Sequence, residues 1–153
     1  MCLITTKPDP KILEEDLVVY KMLLVSWAGE LVSPYYVEFK WELDKLYNAE
    51  GNVWNTVTTR WDPGTQSTSF CINGGAFHAF TDISFAIDMA DRLWCHAWFI
   101  ENINRRYAIV KCIIPKGTQV WEGTHDCPPN YPCVATKSIK IVEVEKIISD
   151  LFR

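Results

Sequence analysis

Residues able to do chemistry are sparse in this chain, and the first group to weigh lies in residues 74–93, GGAFHAFTDISFAIDMADRL. His78 sits in a short apolar run, residues 76–80, and Thr81 and Asp82 follow where the pattern turns helical. A short oxygen-bearing side chain there caps the free amides of a first helical turn. A histidine held beside those amides would share an anion site with Thr81 and Asp82, because the amides and the helix dipole carry partial positive charge. The plainer reading of His78 is a ring hydrogen-bonded at the end of a strand.

The second group is His125, Asp126, Cys127 and Cys133 in the segment GTHDCPPNYPC. Imidazole, thiolate and carboxylate are zinc donors. A structural zinc site offers two tight ligand pairs, whereas here five residues separate the cysteines. A fourth ligand would have to come from Cys71, Cys95, His78 or His96. The expectation is therefore no metal, and a surface loop stiffened by three prolines. A Cys127–Cys133 disulfide is sterically possible, but a reducing compartment argues against it. Cys95 and His96 are sequence neighbours whose side chains diverge on a helix or a strand, so they do not form a nucleophile–base pair. No phosphate-cradling glycine loop, dinucleotide fingerprint or HExxH helix occurs, and no resident cofactor is expected.

The elements that must position these residues belong to a chain of 153 residues, long enough for one domain with a real core. Apolar residues make up 48% and charged residues 22%, which excludes a disordered chain. Net charge is -4 with no basic cluster beyond Arg105-Arg106, so nucleic acid is not an expected partner. No run approaches the length of a membrane span, and the first residues do not read as a secretory signal. The six cysteines are then expected as thiols in a cytoplasm. Seven tryptophans imply an aromatic core or a ring-lined groove.

Residues 1–16, with Pro8 and Pro10, read as an extended lead-in. Residues 17–25 form a near-continuous apolar run and read as a buried strand. Lys21 is the lone charge inside it, placed to reach solvent by its long stem or to serve a site. Strict alternation over residues 37–43 and the β-branched residues of 53–61 predict two more strands. Asn73-Gly74-Gly75 reads as a hairpin turn before the 76–80 strand. A helix is expected from Asp82 to about Leu93, with Ile83, Ala86, Ile87 and Ala90 on one face. Residues 106–115 are the strongest strand signal, with 118–122 as a natural hairpin partner. Residues 123–133 read as a loop without regular structure. Residues 138–147 read as a late strand whose alternation of Ile139, Ile141 and Val144 is imperfect. Together these predict a single α+β domain, one main helix packed on a twisted, mainly antiparallel sheet.

Several segments carry a resemblance. Val18-Val19-Tyr20-Lys21, Ser33-Pro34-Tyr35, the Gly-x-Phe-His-x-Phe stretch ending at Phe80, and Lys111-Cys-Ile-Ile-Pro-Lys-Gly117 are similar to a group of small uncharacterised proteins of gut bacteria and their phages. That likeness spans most of the chain and implies no activity. The Tyr20-Lys21 pair, Ser67-Thr68-Ser69, the glycine–aromatic strand before an alanine-bearing helix, and the Pro115-Lys116-Gly117 turn also resemble ADP-ribosyltransferase-like folds. This second resemblance implies that Lys21 and Ser67 face an NAD pocket. The pattern departs from that family at its catalytic glutamate, because Glu143-x-Glu145 lies close to the chain end and Lys137-Ser138 stand nearer the expected place.

The leading expectation is a small intracellular, phage-linked binding protein that contacts a protein or small-molecule ligand through exposed aromatics and the 123–133 segment. The alternative is an NAD-handling enzyme, or a non-catalytic relative. An enzyme would bring Lys21, Ser67, His78 and a carboxylate into one cleft.

Overall fold

The computed structural model describes residues 3–34, 39–53, 55–62, 65–72, 74–93, 103–126 and 129–149. The strands are β1 (Leu3–Thr5), β2 (Lys11–Ile12), β3 (Leu17–Ser26), β4 (Leu31–Val32), β5 (Lys40–Trp41), β6 (Leu46–Asn48), β7 (Asn55–Asp62), β8 (Thr65–Ile72) and β9 (Phe77–Phe80). The helix α1 (Ile83–Leu93) follows, then β10 (Ile103–Ile114), β11 (Gln119–His125), β12 (Pro132–Thr136) and β13 (Ser138–Ser149). All thirteen strands join one sheet through antiparallel pairs, in the main order β6-β13-β10-β3-β9-β12-β11-β1-β8-β7. The fold is thus dominated by strands and departs from a balanced α+β domain, with a single helix among the described residues.

The apolar runs at 17–25 and 106–114 are nearly continuous because β3 and β10 are buried on both faces. On one face Met22, Leu24, Tyr107 and Ile109 pack with Ala86, Met89 and Ala90 of α1. On the other, Val19, Leu23, Val25, Ala108, Val110, Cys112 and Ile114 pack with Ile139 and Ile141 of β13 and are covered by Trp41. The helix begins as its sequence dictates. Asp82 accepts from the Ser84 amide at 2.8 Å and from the Ser84 hydroxyl at 2.5 Å. Its outer side is tied down where Phe85 stacks on Tyr131, ring centroids 4.7 Å apart, and Tyr131 donates to Asp88, which also pairs with Arg92.

Three expectations about pairing are corrected. Residues 118–122 do not return along β10, because β11 pairs with β12, β1 and β2 instead. Asn73 lies outside the described residues, and β8 and β9 do not form a hairpin: β8 pairs with β1 and β7, and β9 with β12 and β3. Both ends of the 123–133 segment, Gly123–His125 and Pro132–Cys133, are strand rather than loop and belong to the β11–β12 hairpin, whose register runs Val120↔Thr136 to Thr124↔Pro132. The imperfect alternation of β13 also acquires a cause. Register shifts between Ile109 and Val110 and between Lys111 and Cys112 each leave an extra residue on β13. They place Ile141 opposite Cys112, Val144 opposite Val110 and Ile147 opposite Ala108, so all three look to one face.

Gly123 marks a close approach between strands. A Cβ there would collide with the Ile4 carbonyl of β1 and touch the Leu3 side chain. Gly123→Ala is expected to lower stability by about 1–3 kcal/mol through overpacking. Urea denaturation measures it, and an unchanged midpoint would contradict the close β1–β11 contact.

Candidate functional site

Lys21 is the one charged residue in the apolar run of β3, and its placement follows from a break in the ladder. The β3–β9 pairing consists of a single pair, Tyr20↔Phe80. Main-chain groups two residues apart on an antiparallel strand point the same way. The His78 carbonyl therefore points toward β3 where the ladder has already ended, and the Lys21 ammonium donates to it. The same ammonium lies 5.3 Å from the centre of the Trp41 ring. No carboxylate forms an ion pair with Lys21 among the described residues. Burial accordingly lowers its pKa from 10.5 to about 8, with Cys112 pulling weakly the other way.

His78 is joined to Lys21 through its main chain, while its ring turns elsewhere. Nε2 lies 3.0 Å from the Ile72 carbonyl, so that nitrogen carries the proton and donates. Burial, and then the Lys21 charge, lower its pKa from 6.5 to about 4. At neutral pH the ring is uncharged and offers an anion no net charge. Thr81 and Asp82 are exposed, and both already have partners: the Thr81 hydroxyl donates to the Pro132 carbonyl at 3.3 Å, and Asp82 is taken by Ser84.

Ser67 is not brought to this group. It pairs with Arg60 in the β7–β8 hairpin, beyond Phe70, where the β1 pairing ends. Ile72, the His78 partner, is five residues further along, about 17 Å of strand. Glu143 and Glu145 also stand apart from Lys21. They flank Lys111 at 3.7 and 3.8 Å, and Lys111 faces away from Val110 and Cys112, which share the Lys21 side of the sheet.

In the 123–133 segment His125 and Cys133 are buried, and Cys133 is a free thiol whose pKa burial raises to about 12. Cys127 lies outside the described residues, as do Cys95 and His96. No cluster of three metal-ligating side chains occurs among the described residues. Among the described residues no helix is long and apolar enough to cross a membrane.

A concave feature that sequence reading missed lies near the C-terminal end of β3. A cleft of about 510 Å3 opens between the β3–β4–β5 flap and β13. Val25, Leu31, Trp41, Leu43, Val144 and Ile147 supply its apolar wall, and Glu30, Lys40 and Glu42 its rim. Trp41 is buried, whereas Leu43 and Ile147 are about half exposed, at 49% and 51%. Glu30 and Lys40 pair across the rim at 2.6 Å, and Glu42 pairs with Lys45 at 2.5 Å. Trp27, 70% exposed, stands on the turn that also carries Gly29 and Glu30. The partial signal in sequence was the wealth of aromatic residues, but nothing local said which rings would wall a cleft.

Two pH effects follow, each with a definite sign. The unfolded chain holds the Lys21 proton up to 10.5 and the folded chain only to about 8, so stability rises with pH between those values. Below pH 8 the full cost of the buried charge is present. Lys21→Met should remove that rise, worth roughly 2–3 kcal/mol, when urea melts at pH 7.5 and 10.5 are compared with wild type. His78 likewise takes up a proton more readily when unfolded, so stability falls as pH drops from 6.5 to about 4. His78→Gln, which keeps a donor for the Ile72 carbonyl, should flatten that acid limb. An identical limb in wild type and variant would remove His78 as its cause.

Comparison with protein-family models, with curated proteins and with solved structures finds no match to this chain.

Proposed function

We propose that this protein is a binding module that takes an extended polypeptide segment onto the outer edge of β13. The observation that carries the reading is an open edge running beside an apolar cleft. On its outer side β13 is paired with β6 only over Ser138–Lys140, and Asp44 N donates to the Ile141 carbonyl at 2.8 Å. From 142 to 149 no strand pairs with that side among the described residues. Unmet main-chain donors and acceptors on an edge are satisfied by an added strand. Strand addition draws affinity from main-chain hydrogen bonds and specificity from pockets that take alternate side chains. The cleft supplies such a pocket: Val144 and Ile147 line it and belong to the edge strand itself. Its volume falls within the range of ligand-binding clefts, enough for one or two apolar side chains.

The half-exposed Leu43 and Ile147 fit this use. Each displays apolar surface that an incoming side chain would cover, at a rim whose charges are already paired.

The test is to pan a random-sequence peptide display library on the folded protein and re-screen the binders on Ile147→Lys. That side chain is half exposed, so the fold should tolerate the change. Enriched peptides with apolar residues at alternate positions, weakened about tenfold or more by Ile147→Lys, are the expected result. No enrichment, or binders indifferent to that substitution and to Leu43→Lys, would overturn the reading.

A further inference from the structure

We infer that the strand this edge takes is β13 of a second copy of the same chain, joined about a two-fold axis passing between Glu145 and Lys146. The inference rests on the strand-addition reading and names its partner. The edge reads Val142-Glu143-Val144-Glu145-Lys146-Ile147-Ile148-Ser149. Antiparallel pairing about that axis sets Glu145 opposite Lys146 of the second copy, and Lys146 opposite its Glu145. It also sets Val144 opposite Ile147 of the second copy, twice over.

Face matching selects this register. Opposed residues across an antiparallel pair share a face. On a regular strand Val144 and Ile147, three residues apart, would point to opposite faces and could not be opposed. The bulge at Glu145 changes that: Val144 lies opposite Val110 and Ile147 opposite Ala108, both on the side of the sheet that Trp41 covers. Lys146, opposite Ile109, points to the helix side, and Glu145 reaches Lys111 on that same side. Both pairs therefore meet on matching faces. Shifting the register by one residue in either direction opposes Glu145 to Glu145 or Lys146 to Lys146, which is repulsive. Shifting it by two opposes Val144 to Glu145 or Lys146 to Ile147, on mismatched faces.

Charges and bulges on an edge are also the devices by which sheets avoid indiscriminate pairing. Here they disfavour other registers and leave one that is complementary. In that register Val144 and Ile147 of the second copy stand along the open side of the cleft, so each copy contributes apolar surface to the other's site.

Sedimentation equilibrium of the full chain from micromolar to hundreds of micromolar reads the outcome. A reversible dimer is expected. Lys146→Glu places acid against acid and should weaken dimerisation about tenfold or more. The charge swap Glu145→Lys with Lys146→Glu restores opposite charges across the axis and should recover the dimer. Circular dichroism confirms that each variant is folded. A wild-type monomer at every concentration, a dimer indifferent to Lys146→Glu, or a swap that fails to rescue would each overturn the inference. A monomer that still selects peptides blocked by Ile147→Lys would leave strand addition standing and remove only the second copy as its partner.

Discussion

Burial of both faces of β3 and β10 is the constraint on which the rest of the structure depends. The eleven-residue helix covers one face, through Ala86, Met89 and Ala90. The other face needs a separate cover, and Trp41 with Tyr47 and Leu31 supplies it from short strands that contribute little pairing of their own. Phe39, Trp41, Tyr47 and Phe77 meet in edge-to-face and tilted ring contacts, centroids 4.7 to 6.5 Å apart, which gives that cover a defined geometry.

A sheet buried on both sides tolerates a charge only where something satisfies it. Lys21 occupies the place where β3 and β9 part company. Its ammonium answers a carbonyl that the ladder leaves behind and rests near the Trp41 ring. The group is best understood as a repair of the sheet. The same economy pushes binding potential outward: with the interior filled, apolar surface is left at the end of β3, where the flap and β13 do not close on one another.

The legible parts of the fold are those whose signals are local. Asp82 and the spacing of Ala86 and Ala90 announce the helix within a dozen residues. The near-continuous apolar runs of β3 and β10 announce strands covered on both sides. The pairing of β11 was not legible, because adjacency in sequence favours a return along β10. Its pairing with β1 needs Gly123, whose missing side chain admits the backbone of that strand. The link between Lys21 and His78 was equally hidden, since the acceptor is a main-chain carbonyl and carries no residue signature. The cleft was hidden because Val25, Trp41 and Val144 come from three distant stretches of chain.

By itself the sequence determined which segments are apolar enough to be buried, where the helix starts, and that His78, Thr81 and Asp82 stand at a strand-to-helix junction. Those properties arise from side-chain type and spacing over a few residues. Only the tertiary structure decided the order of strands, the faces shown by Val144 and Ile147 after two bulges, and the length of the outer side of β13 that no strand among the described residues pairs with. Those outcomes depend on which distant segments pack together, and main-chain hydrogen bonding, common to every residue, leaves no mark of its partner in the sequence.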